Sequence, residues 1–192
     1  MKKILIGTHN KGKFKEISYL LSKKIKKISP SQLKIISPKE TGKTFFANAK
    51  LKTNYFSKFS KLPVISDDSG LCIKALKDKP GIYSARWARN HGSFKNVMKF
   101  ILKKMEKKID RSAIFICSLS FKYPEGKTIT VVGKIKGSIS LKMLGKKGFG
   151  YDPIFIPNSK SITFGQMSKL EKIKMDHRYV AFKNMKRKVK TL

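Results

Sequence analysis

Two adjacent acids, Asp67 and Asp68 in "SDDSG", stand out in a chain with 45 Lys plus Arg and only 11 Asp plus Glu. They follow the apolar run "LPVI" and precede a glycine, where α/β folds place reacting groups. Neighbouring strand residues point to opposite faces, so the two carboxylates need not share a task. One can bind Mg²⁺, which takes hard oxygen ligands, usually one or two carboxylates plus substrate phosphates. The other can orient backbone or take a proton from water. A turn held by Asx hydrogen bonds is the plainer alternative.

Four further segments carry candidate chemistry. "THNKGK" follows a strand and opens a helix, so its backbone N–H groups and Thr8, Asn10 and Lys13 could hold phosphate. It lacks P-loop spacing and also reads as an ordinary capping loop. "ETGKTFFANAKLK" offers Glu40 and Lys52, each equally readable as a solvated surface charge. "GFGYDP" gives close approach at Gly148 and Gly150, flat rings at Phe149 and Tyr151, and another scarce acid, Asp152. It would serve a base or an aromatic core turn. "KIKMDHR" gathers the donors Lys172, His177 and Arg178, which match the acceptors of a 6-keto purine and mismatch the 6-amino group of adenine. Its plainer reading is a helix start capped by Asp176.

These residues need a scaffold. "KKILIGT" reads as a buried strand, and Phe14, Ile17, Leu20 and Leu21 predict a helix over 12–24. "LKIIS" reads as a short strand. "TFFANAKLKTNYFSKF" reads as a helix capped by Thr44, with Phe45, Ala49, Lys52 and Phe56 along one side. "LPVIS" and "GLCIKAL" read as two strands separated by a turn. "SFKNVMKFILKKMEKK" is an amphipathic helix, and "SAIFICSLSFKY" with "KTITVVGKIKGSIS" forms an antiparallel hairpin. A glycine-rich loop leads into a short strand at "PIFIP", and "DHRYVAFKNMKRKVK" closes the chain as a helix. The expected fold is α/β, a mixed sheet flanked by helices, in two lobes with a cleft between them and one domain over 1–192.

Composition narrows the function classes. Hydrophobic residues make up 40% and no apolar run nears the roughly 20 residues of a membrane span. The opening "MKKILIG" is too short for a signal peptide core, so a cytoplasmic protein is expected. Cys72 and Cys117 have no CxxC spacing and read as buried thiols. The net charge of +34 raises a rival class, a basic nucleic-acid-binding protein. All but five of the basic residues are lysine, spread along the whole chain, whereas base readers and phosphate forks favour arginine. A general surface bias accounts for that, with nucleic acid bound only weakly and incidentally.

Taken in order, "THNKGK", "ETGKTFFANAKLK", "SDDSGLCIKAL", "PGIYSAR", "GFGYDPIF" and "DHR" resemble the inosine triphosphate pyrophosphatase family, over residues 4 to about 183. The resemblance implies a Mg²⁺-dependent hydrolase that converts ITP, dITP and XTP to the monophosphate and pyrophosphate. It further implies an elongated mixed sheet and a homodimer. Thr8, Asn10, Lys13, Lys52 and Ser69 would contact the phosphates. Glu40 and Asp68 would hold metal, with Asp68 also the general base. Phe149 would stack on the purine, in a pocket shaped by Gly150, Tyr151 and Asp152, and Lys172, His177 and Arg178 would read its 6-keto edge. The chain departs from the family pattern at Ala47, Gln166 and Asp176, where Glu, Glu and Ser are usual.

Overall fold

A computed structural model describes residues 1–192. Its sheet is mixed, in the order β2-β1-β3-β5-β6-β7, with β4 paired to β3. The strands are β1 (Lys3–Ile6), β2 (Lys26–Ile28), β3 (Val64–Ile73), β4 (Lys79–Pro80), β5 (Ser112–Lys122), β6 (Ile129–Ile139) and β7 (Phe155–Pro157). The helices are α1 (Lys11–Leu20), α2 (Phe45–Ser60), α3 (Ser84–Asn90), α4 (Phe94–Met105), α5 (Lys169–Ile173) and α6 (His177–Lys188). β1 runs parallel to both β2 and β3, whereas β4 and β7 pair antiparallel with β3 and β6. The short connection from β5 to β6 requires an antiparallel pair, because a parallel crossover needs a dozen or more residues.

The chain divides into two compact units. The first holds Met1–Asp68, Cys117–Gly133 and Arg178–Leu192. Strand alternation gives it two apolar layers. Ile4 and Ile6 pack with Ile17 of α1, with Leu21 just past its end, and with Phe182 and Met185 of α6. Leu5 and Val64 face the other way, onto Phe56 of α2. A fully buried ring such as Phe56 contributes roughly 1.5–3 kcal/mol. Thr44 caps α2 as expected, its hydroxyl accepting from Ala47 N at 3.0 Å.

The second unit holds Ser69–Ile116 and Lys134–His177. Leu71 and Ile73 of β3 pack with Val97, Ile101 and Met105 of α4 and with Phe115, Phe155 and Phe164. Ser93 caps α4 through Asn96 N at 3.1 Å. Both cysteines are buried and form no disulfide. No helix is long and apolar enough to cross a membrane.

Three expectations fail locally. "LKIIS" is not a strand: Ser29 and Gln32 form a capping box around a 3₁₀ turn over Pro30–Leu33, and Lys34 then takes φ 53°. Ile36 is left 74% exposed. The edge strand is instead β2, whose lysines suit a sheet border. The helix expected over 12–24 stops at Leu20, because Leu21 is already extended. "SDDSG" does not break the strand either. β3 runs unbroken from Val64 to Ile73, so both acids lie in mid-strand and not before a turn.

Candidate active site

β3 sorts its two acids by alternation. Asp67 is fully buried and its Oδ2 lies 3.2 Å from Arg178 Nε and 3.3 Å from Lys13 Nζ. Arg178 Nη1 donates to Glu16 Oε2 at 2.8 Å. Asp68 is 5% exposed and answers to α2: Asn48 Nδ2 donates to its Oδ2 at 3.0 Å, and Lys52 Nζ lies 3.9 Å from its Oδ1. The same ammonium donates to Glu40 Oε1 at 2.6 Å. Asn48, Lys52 and Phe56 are spaced by four, so one face of α2 carries the amide, the cation and the core ring.

Burial pushes the Asp68 carboxyl above the ordinary range, outweighing the pull of Lys52 and Lys13. Burial alone would push Lys52 down, but the charges of Asp68, Glu40 and Asp67 more than offset it and the ammonium is held charged. Asp68 thus has the character of a base, and Lys52 that of a fixed cation.

Two carboxylates converging on one ammonium form a place that accepts positive charge. Glu40 and Asp68 supply hard oxygen donors that fit Mg²⁺. No group of three or more His, Cys, Asp or Glu stands ready to hold a metal. A divalent cation there would take its remaining ligands from phosphate oxygens and water, the usual arrangement for Mg²⁺.

The phosphate-loop candidate is also a working cap. Asn10 Oδ1 accepts from Lys13 N at 3.0 Å, and Thr8 Oγ1 accepts from Asn10 N at 3.2 Å. The capping reading of "THNKGK" holds: the cap fixes the start of α1, whose Lys13 reaches Asp67. Ser69 follows Asp68 on β3 and is half-buried.

In the second unit, "GFGYDP" closes on itself. Asp152 Oδ2 accepts from Phe149 N at 2.8 Å and from Lys172 Nζ at 2.6 Å. Gly148 has φ +75°, and a Cβ there would sit 2.0 Å from that carboxylate oxygen, so any other residue strains the turn and displaces the carboxylate. Lys172 is delivered by α5, whose start is a capping box between Ser168 and Glu171. Its ammonium stands 4.7 Å from the centre of the half-buried Phe149 ring, a cation–π distance. Gly150 is half-buried beside it, with φ +67°.

Tyr151 turns the other way. It is 3% exposed, edge-on to Phe94, with its hydroxyl donating to Ser84 O at 2.9 Å, and burial raises its phenol pKa. It shapes the turn from below. His177 stacks on Phe115, centroids 4.7 Å apart and rings 7° from parallel. Of the three departures, Gln166 accepts from Thr163 N at 3.0 Å, Ala47 N serves the α2 cap, and Asp176 is fully buried just before α6.

The predicted residues therefore gather as two constellations: Thr8, Asn10, Lys13, Glu40, Lys52 and Asp68 with Arg178 in the first unit, and Phe149, Asp152 and Lys172 in the second, which also holds His177. Two polar residues were missed by sequence reasoning. Glu16 lies one helical turn after Lys13 in a chain poor in acids, a signal that was available. Asn48 was visible only as a polar residue on the core side of α2.

Known proteins bear on this geometry. A "dITP/XTP pyrophosphatase" of Caulobacter vibrioides is 40% identical over 186 residues, 96% of each chain. One of Dictyoglomus thermophilum is 41% identical, over 95% of this chain and 92% of its own. Among solved structures, a HAM1 protein from Coxiella burnetii superposes with a TM-score of 0.88 at 31% identity, covering 100% of both chains. The Staphylococcus aureus Ham1 protein gives 0.87 at 34%, covering 98% of each. The Ham1 family model matches residues 4–188. With a mixed α/β sheet that matches solved Ham1 proteins and a relative aligned over nearly its whole length, this chain belongs to the Ham1 family.

Proposed function

We propose that this chain hydrolyses the non-standard purine nucleoside triphosphates dITP, ITP and XTP to the nucleoside monophosphate and pyrophosphate. The observation that carries the reading is Asp68, a buried carboxylate of raised pKa set between an amide and a lysine, in a chain whose relatives are named dITP/XTP pyrophosphatases. Asp68 accepts a proton from water, which attacks the α-phosphorus; the α–β bridging oxygen leaves with pyrophosphate. Lys52, Lys13, Thr8, Asn10 and Ser69 hold the phosphates. Mg²⁺, taken by Glu40 and Asp68, supplies charge neutralisation on the phosphates when bound.

Phe149 offers the ring for the purine, with Gly150, Tyr151 and Asp152 fixing its turn. Lys172, His177 and Arg178 are the donors toward the 6-keto edge, Arg178 acting while Asp67 and Glu16 hold its Nε and Nη1. Adenine would set its 6-amino donor against donors, and such mismatches discriminate strongly. The enzyme works as a cytoplasmic homodimer in this reading.

The test is a substrate panel of dITP, ITP, XTP, ATP and GTP with and without Mg²⁺, products separated by ion exchange. Monophosphate plus pyrophosphate from the first three, only with Mg²⁺, is expected. Orthophosphate plus diphosphate, or equal turnover of ATP, overturns it.

A further inference from the structure

Asn48 uses both ends of its amide on the site without belonging to the set that would touch substrate. Nδ2 donates to Asp68 Oδ2 at 3.0 Å, and Oδ1 accepts from the backbone N–H of Gly42 at 2.8 Å. The side chain is 2% exposed. Its orientation is fixed by its partners: a carboxylate accepts and an N–H donates, so a flipped amide would oppose like to like at both ends. Gly42 stands two residues after Glu40, and Asn48 one helical turn before Lys52. One amide therefore ties three chain segments: the strand bearing Asp68, the helix bearing Lys52 and the loop bearing Glu40.

We propose that Asn48, seated by Gly42, is a positioning residue that holds the Asp68 carboxylate and the Glu40 loop in register for the hydrolytic step. The inference rests on the assignment of Asp68 as the base. With Oδ2 occupied by Asn48, rotation of the carboxylate is blocked and Oδ1 stays on the Lys52 side. Small misplacements of a catalytic group are costly, because the rate depends on near-attack geometry. Gly42 supplies a second handle. A Cβ there would lie 2.6 Å from Asn48 Oδ1 and 2.9 Å from the Ala47 Cβ, so even alanine displaces the amide.

The experiment compares Asn48→Ala, Asn48→Asp, Gly42→Ala and Asp68→Asn in the full-length enzyme with dITP and Mg²⁺, each checked for native circular dichroism. Asn48→Asp keeps an acceptor for Gly42 and sets a carboxylate against Asp68. The expected result is a tenfold to hundredfold loss of kcat in the three Asn48 and Gly42 variants, with KM within threefold of wild type. That split separates positioning from loss of binding, and the circular dichroism separates it from loss of folded protein. A second readout is free of turnover: the Asn48 side-chain amide in a ¹⁵N–¹H spectrum, which Asp68→Asn and Gly42→Ala should both move. Wild-type kcat in Asn48→Ala and Gly42→Ala alongside an inactive Asp68→Asn overturns the role of Asn48 alone. Full activity of Asp68→Asn overturns the assignment of the base, and this inference with it.

Discussion

Asp67 and Asp68 are neighbours in sequence whose carboxylates make their ion pairs within 4 Å to different cations, Arg178 and Lys13 for the first and Lys52 for the second. Strand alternation divides them, one completing a buried ion cluster and the other standing beside the Glu40–Lys52 pair.

The pair should therefore respond oppositely to the same change. Asp67→Asn leaves the buried Arg178 short of a counter-charge, a loss of about 3–5 kcal/mol. For a chain of this length that lowers Tm by roughly 6–20 °C. Asp68→Asn removes a carboxylate that burial disfavours, so Tm should hold or rise while kcat falls about 10²–10⁴-fold. Scanning calorimetry beside steady-state kinetics on the two variants checks both halves.

The Asp152–Lys172 pair gives the second expectation. Both groups are buried, so Lys172→Met strands the carboxylate and destabilises by about 3 kcal/mol or more. Gly148→Ala is subtler: it strains a positive φ and crowds the same carboxylate. If the turn presents Phe149 to the base, KM for dITP rises about tenfold, worth about 1.4 kcal/mol, with kcat less affected. An unchanged KM in folded Gly148→Ala would remove the turn from base binding.

Cys72 supplies a pH-dependent expectation outside the site. Burial, with Asp78 nearby, pushes its thiol up to about 11. Only the thiolate alkylates, so at pH 8 about one molecule in a thousand is reactive. Iodoacetamide labelling of the folded protein should rise about tenfold per pH unit toward pH 11 and be fast at pH 8 in urea. The raised native pKa also means that the folded state holds a proton that the unfolded state releases from about pH 8.5. Stability from this group is present below that pH and lost as pH rises through about 11. Fast native labelling at pH 8 would contradict the burial.

The sequence made the fold class legible, and with it the segments that carry the candidate site, because both rest on local signals. Thr44 is a capping residue by type, and apolar periodicity marks α4 and α6. The failures come from competition between local and tertiary preferences. "SDDSG" carries turn chemistry, yet β3 stays extended through it, between its pairing with β1 at Val64 and Ile65 and with β4 at Cys72 and Ile73. "LKIIS" has strand propensity, but the capping box at Ser29 turns the chain before it can pair. Short elements such as α5 and β4 leave too few residues for a period to show. The pairing of Glu16 with Arg178 joins residues far apart in sequence, and only the folded chain displays it.

The central claim is water attack at the α-phosphorus, assisted by Asp68. Hydrolysis of dITP in ¹⁸O-labelled water, with the products resolved by mass spectrometry, tests it most directly. The account predicts one ¹⁸O in deoxyinosine monophosphate and none in pyrophosphate, with Asp68→Asn forming neither product at an appreciable rate. Label in pyrophosphate, or in released orthophosphate, would place the attack on another phosphorus and contradict it.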